Sequence, residues 1–284
     1  MTQLKSLAVL PLIAAAFCCP RAEALDFWTD VLPKWKELES DFSSIEASIS
    51  VHRVGAKSDV EDPTTIARYA RCGTNRLMVL ERQSMPNQVF AINQDYNFLA
   101  TGNSLNLIDK SNLTTTQSLQ KLESAVFAAY SLPCNKLTIP PLTQYLSPER
   151  QTITTHGDRV VEVKDSNFEL TLELSPDRDF RIDHWELEFG NTVHIGRVEY
   201  GSTNIPTAVY VSSRPIDSLD RNRRVYFISD VARCSTPYSH FLVEHYGIEP
   251  PLEYAQPARR WPYVFAILGV AFITALIMRR KNVS

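Results

Sequence analysis

The sequence predicts an α+β protein: one large curved antiparallel sheet, a half-barrel, with two or three helices and a C-terminal transmembrane helix. Three observations carry this expectation. A helical apolar pattern is followed by many short segments of period two, a second helical pattern interrupts them, and an uncharged apolar stretch lies near the C-terminal end.

Residues 1–24 hold Lys5, an apolar run from Leu7 to Phe17 and Ala22-Glu23-Ala24. A charged start, an apolar stretch too short to span a bilayer and an A-x-A site predict a signal peptide cleaved after Ala24. Cys18 and Cys19 raise a lipoprotein signal as the rival reading, but neither follows the small residue that such a signal needs.

From Leu25 to Ser43, Trp28, Leu32, Trp35 and Phe42 fall on one helical face, with Pro33 marking a restart in the first turn. Strand segments follow at Ile45–Val54, Ile66–Cys72, Arg76–Gln83, Gln88–Asn93, Phe98–Gly102 and Leu105–Asp109. Thr114 and Gln117 have the spacing of a capping box, and Leu119, Leu122, Val126 and Tyr130 line one face of a second helix. Ser131–Pro148, with four prolines, reads as loop.

The second half is strongly β. Phe168 to Leu174 alternates without a fault. Phe180–Phe189 shifts phase at Asp183-His184, which predicts a bulge. Strands at His194–Tyr200, Thr207–Ser212 and Val225–Val231 follow, then a last short helix from Thr236-Pro237 to a stop at Gly247. One extracytoplasmic domain over 25–246 accounts for all of this.

Residues 247–260, rich in proline, read as a stalk. Trp261 to Met278 is uncharged, about 27 Å long as a helix, and flanked by Arg259, Arg260, Arg279, Arg280 and Lys281. A buried core helix would need a polar face, which this segment lacks. It is expected to anchor the chain in the cell membrane as a single span, with residues 279–284 as a cytoplasmic tip. Tyr246 to Pro250, the linker, the arginine pair, the span and the basic tip resemble the tails of membrane-anchored envelope proteins of planctomycete bacteria. A sorting tail removed by a transpeptidase is the alternative.

Hydrophobic residues make up 44% and charged residues 21%, which excludes a disordered or collagen-like chain. The net charge is −3. Residues 1–24 contribute +1 and 259–284 contribute +5, so the rest carries −3 − 1 − 5 = −9. A domain this acidic repels a phosphate backbone, so no nucleic-acid partner is expected.

No motif carries chemistry outright. GxGxxG, HExxH, CxxC and G-x-S-x-G are all missing, and no cofactor, metal or catalytic residue is assigned. His240, Glu244 and His245 read as a solvated amphipathic helix. Asp177, Asp179 and Asp183, and Asp217, Asp220 and Asp230 around Arg221–Arg224, read as turns and not as calcium or acid/base sites. Cys72, Cys134 and Cys234 permit one disulfide at most, in any of three pairings.

The order of helix, strands, helix, strands over 26–233, with its aromatic N-terminal helix, resembles the periplasmic lipoprotein carriers LolA and LolB and the sensor RseB. The resemblance implies a half-barrel whose concave face binds an acyl chain, a lipoprotein or another apolar ligand. Candidates for lining such a pocket are Phe168, Phe180, Trp185, Phe189, Tyr200 and Tyr210, the large aromatics of the second-half strands. The alternatives are an extracytoplasmic hydrolase built from scattered Asp and His residues, and a ligand-free structural or sensor protein.

Overall fold

The computed structural model describes residues 25–55, 59–109, 113–134, 137–216, 222–251 and 254. The segments expected to be a signal, a span and a cytoplasmic tip lie outside the described residues. Among the described residues no helix is long and apolar enough to cross a membrane.

Asp26 opens the first helix by accepting from the backbone N–H groups of Trp28 and Thr29. One π-turn, Phe27–Val31, leads into α1, Leu32–Asp41, with Pro33 in its first turn. The buried stripe is Phe27, Val31, Trp35, Leu38 and Phe42, so Trp28 and Leu32 sit at its margin and not at its centre. The wider π-turn moves the face round before the regular helix begins.

Six strands follow: β1 Ser44–Val54, β2 Val60–Cys72, β3 Asn75–Arg82, β4 Met85–Ile92, β5 Asn97–Thr101 and β6 Ser104–Asp109. Then come α2, Leu113–Val126, and a one-turn α3, Leu142–Tyr145. The second series is β7 Thr152–His156, β8 Val160–Lys164, β9 Phe168–Ser175, β10 Arg181–Phe189, β11 Thr192–Tyr200, β12 Pro206–Pro215 and β13 Asn222–Ala232. β7 and β8 were not anticipated from the sequence. The bulge expected at Asp183-His184 is present, as a register shift between Ile182 and His184 against β9.

All the strands form one antiparallel sheet in the order β6-β5-β4-β3-β2-β1-β13-β12-β11-β10-β9-β8-β7. Two meanders are therefore joined at a single seam, β1 against β13. The sheet curves, because α2 touches β4 and β5 and also β12, which stands several strands away across that seam. Hydrogen bonds agree: Ile182 of β10 donates to the Ala129 carbonyl just past α2, while Phe127 packs edge-on against Tyr69 of β2. The helix and its continuation fill the hollow of a half-barrel.

One cluster, with Trp35, Tyr69, Met78, Phe127, Tyr130 and Trp185, occupies the concave side. A second lies on the opposite face of β2 to β5, where Phe241, Val243 and Ile248 cover Ala70, Leu77, Val89, Ala91 and Phe98. The segment expected to be one helix here is two 3₁₀ turns, Tyr238–Phe241 and Val243–Tyr246, ended by Gly247 in the left-handed region. A Cys72–Cys234 disulfide ties the segment to β2, and Cys134 is a buried free thiol.

Candidate functional site

Antiparallel pairing brings one set of strand ends together: the ends of β1, β3, β10 and β12 and the starts of β2, β4, β9, β11 and β13. Side chains of period two on the concave side continue the core out to this rim. On β1, Ile45, Ala47, Ile49 and Val51 are buried, and the next residue in phase is Arg53. On β13, Ile228 and Tyr226 are buried, and the next in phase are Arg224 and Asn222. The register sets Val51 opposite Tyr226 and Arg53 opposite Arg224.

Beneath α2 at this end lies a cavity of about 450 Å³. Its apolar lining is Val51, Leu80, Phe90, Leu122 and Tyr226, joined by Cys134, Thr64 and Thr65. Its cations are Arg53, Arg82, Lys121 and Arg224. An adjoining surface hollow of about 570 Å³ shares Arg53 and Arg224 and adds Thr192, Ser213, Asn222 and one carboxylate, Glu61. Burial pushes the Tyr226 phenol above its ordinary pKa, with Arg224 alongside opposing that push. Burial also lifts the Cys134 thiol to about 12, so its sulfur stays protonated and unreactive at neutral pH.

A third opening at the same end is almost wholly apolar. The loop before and through α3 contributes Leu132, Leu137, Ile139, Leu142 and Tyr145, and the sheet contributes Phe168, Leu170, Leu187 and Phe189. Its volume is about 130 Å³. Phe168 is buried there against Tyr145, and Phe189, 42% exposed, forms the lip.

The six aromatics singled out from the sequence thus part company. Phe168 and Phe189 meet at one opening, and Tyr210 lines a separate hollow of about 390 Å³ with Gly196, Arg197 and Val225. Trp185 is fully buried in the core beside Gly196. Phe180 packs beside that core, and its carbonyl accepts from Trp35 Nε1 at 2.8 Å. Tyr200 donates to the Ile182 carbonyl, with Arg181 over its ring. Tyr210 pairs across strands with Arg197 and Val225 on the outer face, where Arg197 covers it and Glu199 accepts its hydroxyl.

Of the histidines and acids named from the sequence, Asp230, His240 and His245 line one hollow of about 460 Å³ together with Glu46, and the others are spread out. His156 pairs with Glu162, His184 faces Glu173, and Asp183 accepts from Ser175. His240 stacks on His245 and not along a helix face with Glu244, which turns to Tyr96. Asp217 and Asp220 lie outside the described residues. No group of three potential metal ligands gathers among the described residues. The cations of the rim were missed by sequence reasoning, which weighed Arg224 only as one of a charged run. The signal was available: an arginine in the inward phase of an otherwise apolar strand.

No family model matches this sequence, and no curated protein matches it. Solved structures are similar to it. A LolA superfamily protein from Nitrosomonas europaea is 14% identical with a TM-score of 0.47, over 76% of this chain and 97% of that one. A DUF1329 family protein from Desulfovibrio piger is 10% identical with a TM-score of 0.39, over 76% of this chain and 98% of that one. The large open antiparallel sheet expected of a LolA-like half-barrel is the architecture this chain has.

Proposed function

We propose that this protein is an extracytoplasmic binding module, tethered to the membrane by Trp261 to Met278, that holds an apolar chain in the hollow of its sheet. The acyl chain of a lipid or lipoprotein is the expected ligand class. One observation carries the reading: the cavity beneath α2, lined by Val51, Leu80, Phe90 and Tyr226 of the sheet and Leu122 of the helix. Its volume of about 450 Å³ suits a small-molecule site, commonly ~300–1,000 Å³. The apolar opening at Phe168 and Phe189 is a second place on the same rim where a chain would be shielded from water. The Cys72–Cys234 disulfide supports an oxidising compartment. The hydrolase reading has one cleft to stand on, the hollow at Glu46, Asp230, His240 and His245, where the two imidazoles stack on each other and Glu46 is engaged by Ser235 and Thr236.

The test is mass spectrometry of small molecules retained by the full-length protein after gentle extraction from its native membrane. Recovery of an acyl-bearing compound at near-stoichiometric yield is expected. Leu122→Arg, which puts a charge at the cavity wall, should lower that yield while the protein stays folded. Empty protein in every preparation would overturn the proposal.

A further inference from the structure

Resting on the proposed binding role, we infer that the cavity selects its ligand by headgroup charge: it takes an anionic amphiphile, a chain ending in a carboxylate or phosphate. The carrying observation is the juxtaposition of Arg53 and Arg224. They are direct partners across the β1–β13 seam, both on the concave phase. Like charges placed opposite each other on neighbouring strands are destabilising. Arg82 and Lys121 line the same cavity, which makes four cations at one mouth. No carboxylate of the described residues lines that cavity, and no ion pair within 4.0 Å joins any of the four to a described acid.

This arrangement stands out against the domain around it. The sequence between the signal and the basic tail carries −9, so a fourfold positive mouth runs against the average charge. Arg224 donates a hydrogen bond to the Tyr226 hydroxyl, which satisfies a donor and leaves the charge without a described carboxylate partner; a local feature that costs stability in this way marks a functional position. Guanidinium groups suit the purpose, since each offers paired donors to a carboxylate or phosphate. The apolar lining lies inward of the charges: Val51 and Tyr226 precede Arg53 and Arg224 toward the core, and Leu80 precedes Arg82. A ligand would therefore enter tail first and leave its anion at the rim. The acidic surface beyond excludes a long polyanion but not a single headgroup.

The experiment uses the full chain in native membranes and a photoreactive fatty acid beside the fatty alcohol of the same chain. The concentration for half-maximal labelling is read from the labelled peptides. The acid should label at about tenfold lower concentration than the alcohol, the scale of one charge-assisted contact at a partly exposed site. Arg53→Gln with Arg224→Gln should erase that preference, so that acid and alcohol label at the same concentration. Arg82→Gln with Lys121→Gln, away from the seam, should reduce it independently. Equal labelling by acid and alcohol in the wild type overturns the headgroup inference and leaves the binding role intact. Labelling by neither overturns both. Excess inorganic phosphate separates the sources of the anion: acid that stays bound supports an amphiphile, and complete displacement assigns a bare-anion site and overturns it.

Discussion

Gly196 and Trp185 face each other across β10 and β11, and the indole occupies the place a side chain at 196 would take. A Cβ there would overlap the ring, which is fully buried and has no room to withdraw. Gly196→Ala is therefore expected to cost about 1–3 kcal/mol, as overpacking does. Urea denaturation measures the loss. In a Trp185→Leu background the same alanine should cost much less, because the two positions are coupled through one contact. An unchanged midpoint for Gly196→Ala alone would refute the account. Phe180 shows a different kind of constraint at the same scale. It and Asp179 both have positive φ, which bulky residues rarely adopt, and the Trp35 indole donates to the Phe180 carbonyl. The first helix thus pins the start of β10, which begins at Arg181, one residue later than the strand expected from the sequence.

Among the elements, the segment from Cys234 to Pro251 behaves as a strap over the outer face of β2 to β5. It is held by the disulfide, by Asn93 Nδ2 donating to the Phe241 carbonyl, and by Tyr96, whose hydroxyl donates to Glu244 and accepts from Val243 N–H. At its start, Glu46 accepts from Ser235 N–H, Ser235 Oγ and Thr236 Oγ1 at 3.0–3.1 Å. The Ser235 backbone bond, above all, holds the Glu46 carboxyl below its usual 4.5. A depressed folded pKa means that this contribution is present above about pH 4.5 and is lost as pH falls through the lower folded value. The protection of the strap amides, taken relative to the intrinsic exchange rate at each pH, should accordingly fall in acid. Glu46→Gln should loosen the strap at neutral pH and flatten that dependence; an acid profile identical to the wild type would count against Glu46 as the anchor. Most elements were legible wherever one face is buried. β9 alternates buried and exposed through Phe168 to Leu174, as its sequence requires. β7 was not legible because it is an edge strand whose only apolar residue is Ile153, and β8 because five residues give too short a pattern. The strap misled because Thr236-Pro237 suits any helical start, and two 3₁₀ turns satisfy it as well as one α-helix. The site was the least legible part. Alternation separates two faces without saying which is concave, so Phe168 and Tyr210 were indistinguishable until curvature put one at the apolar opening and the other in a hollow of the outer face.

At the scale of the whole molecule, the charge is distributed along the chain in a way that the proposed topology explains. The −9 segment holds the described domain, the five basic groups of residues 259–284 flank the apolar stretch, and no charge lies between Trp261 and Met278. Each charge at mid-bilayer costs about 2.5–3.5 kcal/mol on insertion scales, so an uncharged run with arginines at both sides is suited to a span and its flanks. Tethering would also matter to ligand capture, because a ligand that is itself an amphiphile is concentrated at the bilayer. Leu268→Arg with Ile273→Arg should add about 5–7 kcal/mol to insertion, enough to leave the domain in the soluble fraction. Added outside intact spheroplasts, protease should digest residues 25–258 of the wild type, and carbonate should fail to wash the protein from membranes. Release of the wild type by carbonate, or protection of the domain from external protease, would sink the tethered topology. The cavity and its rim would then have to be explained by a partner in another compartment.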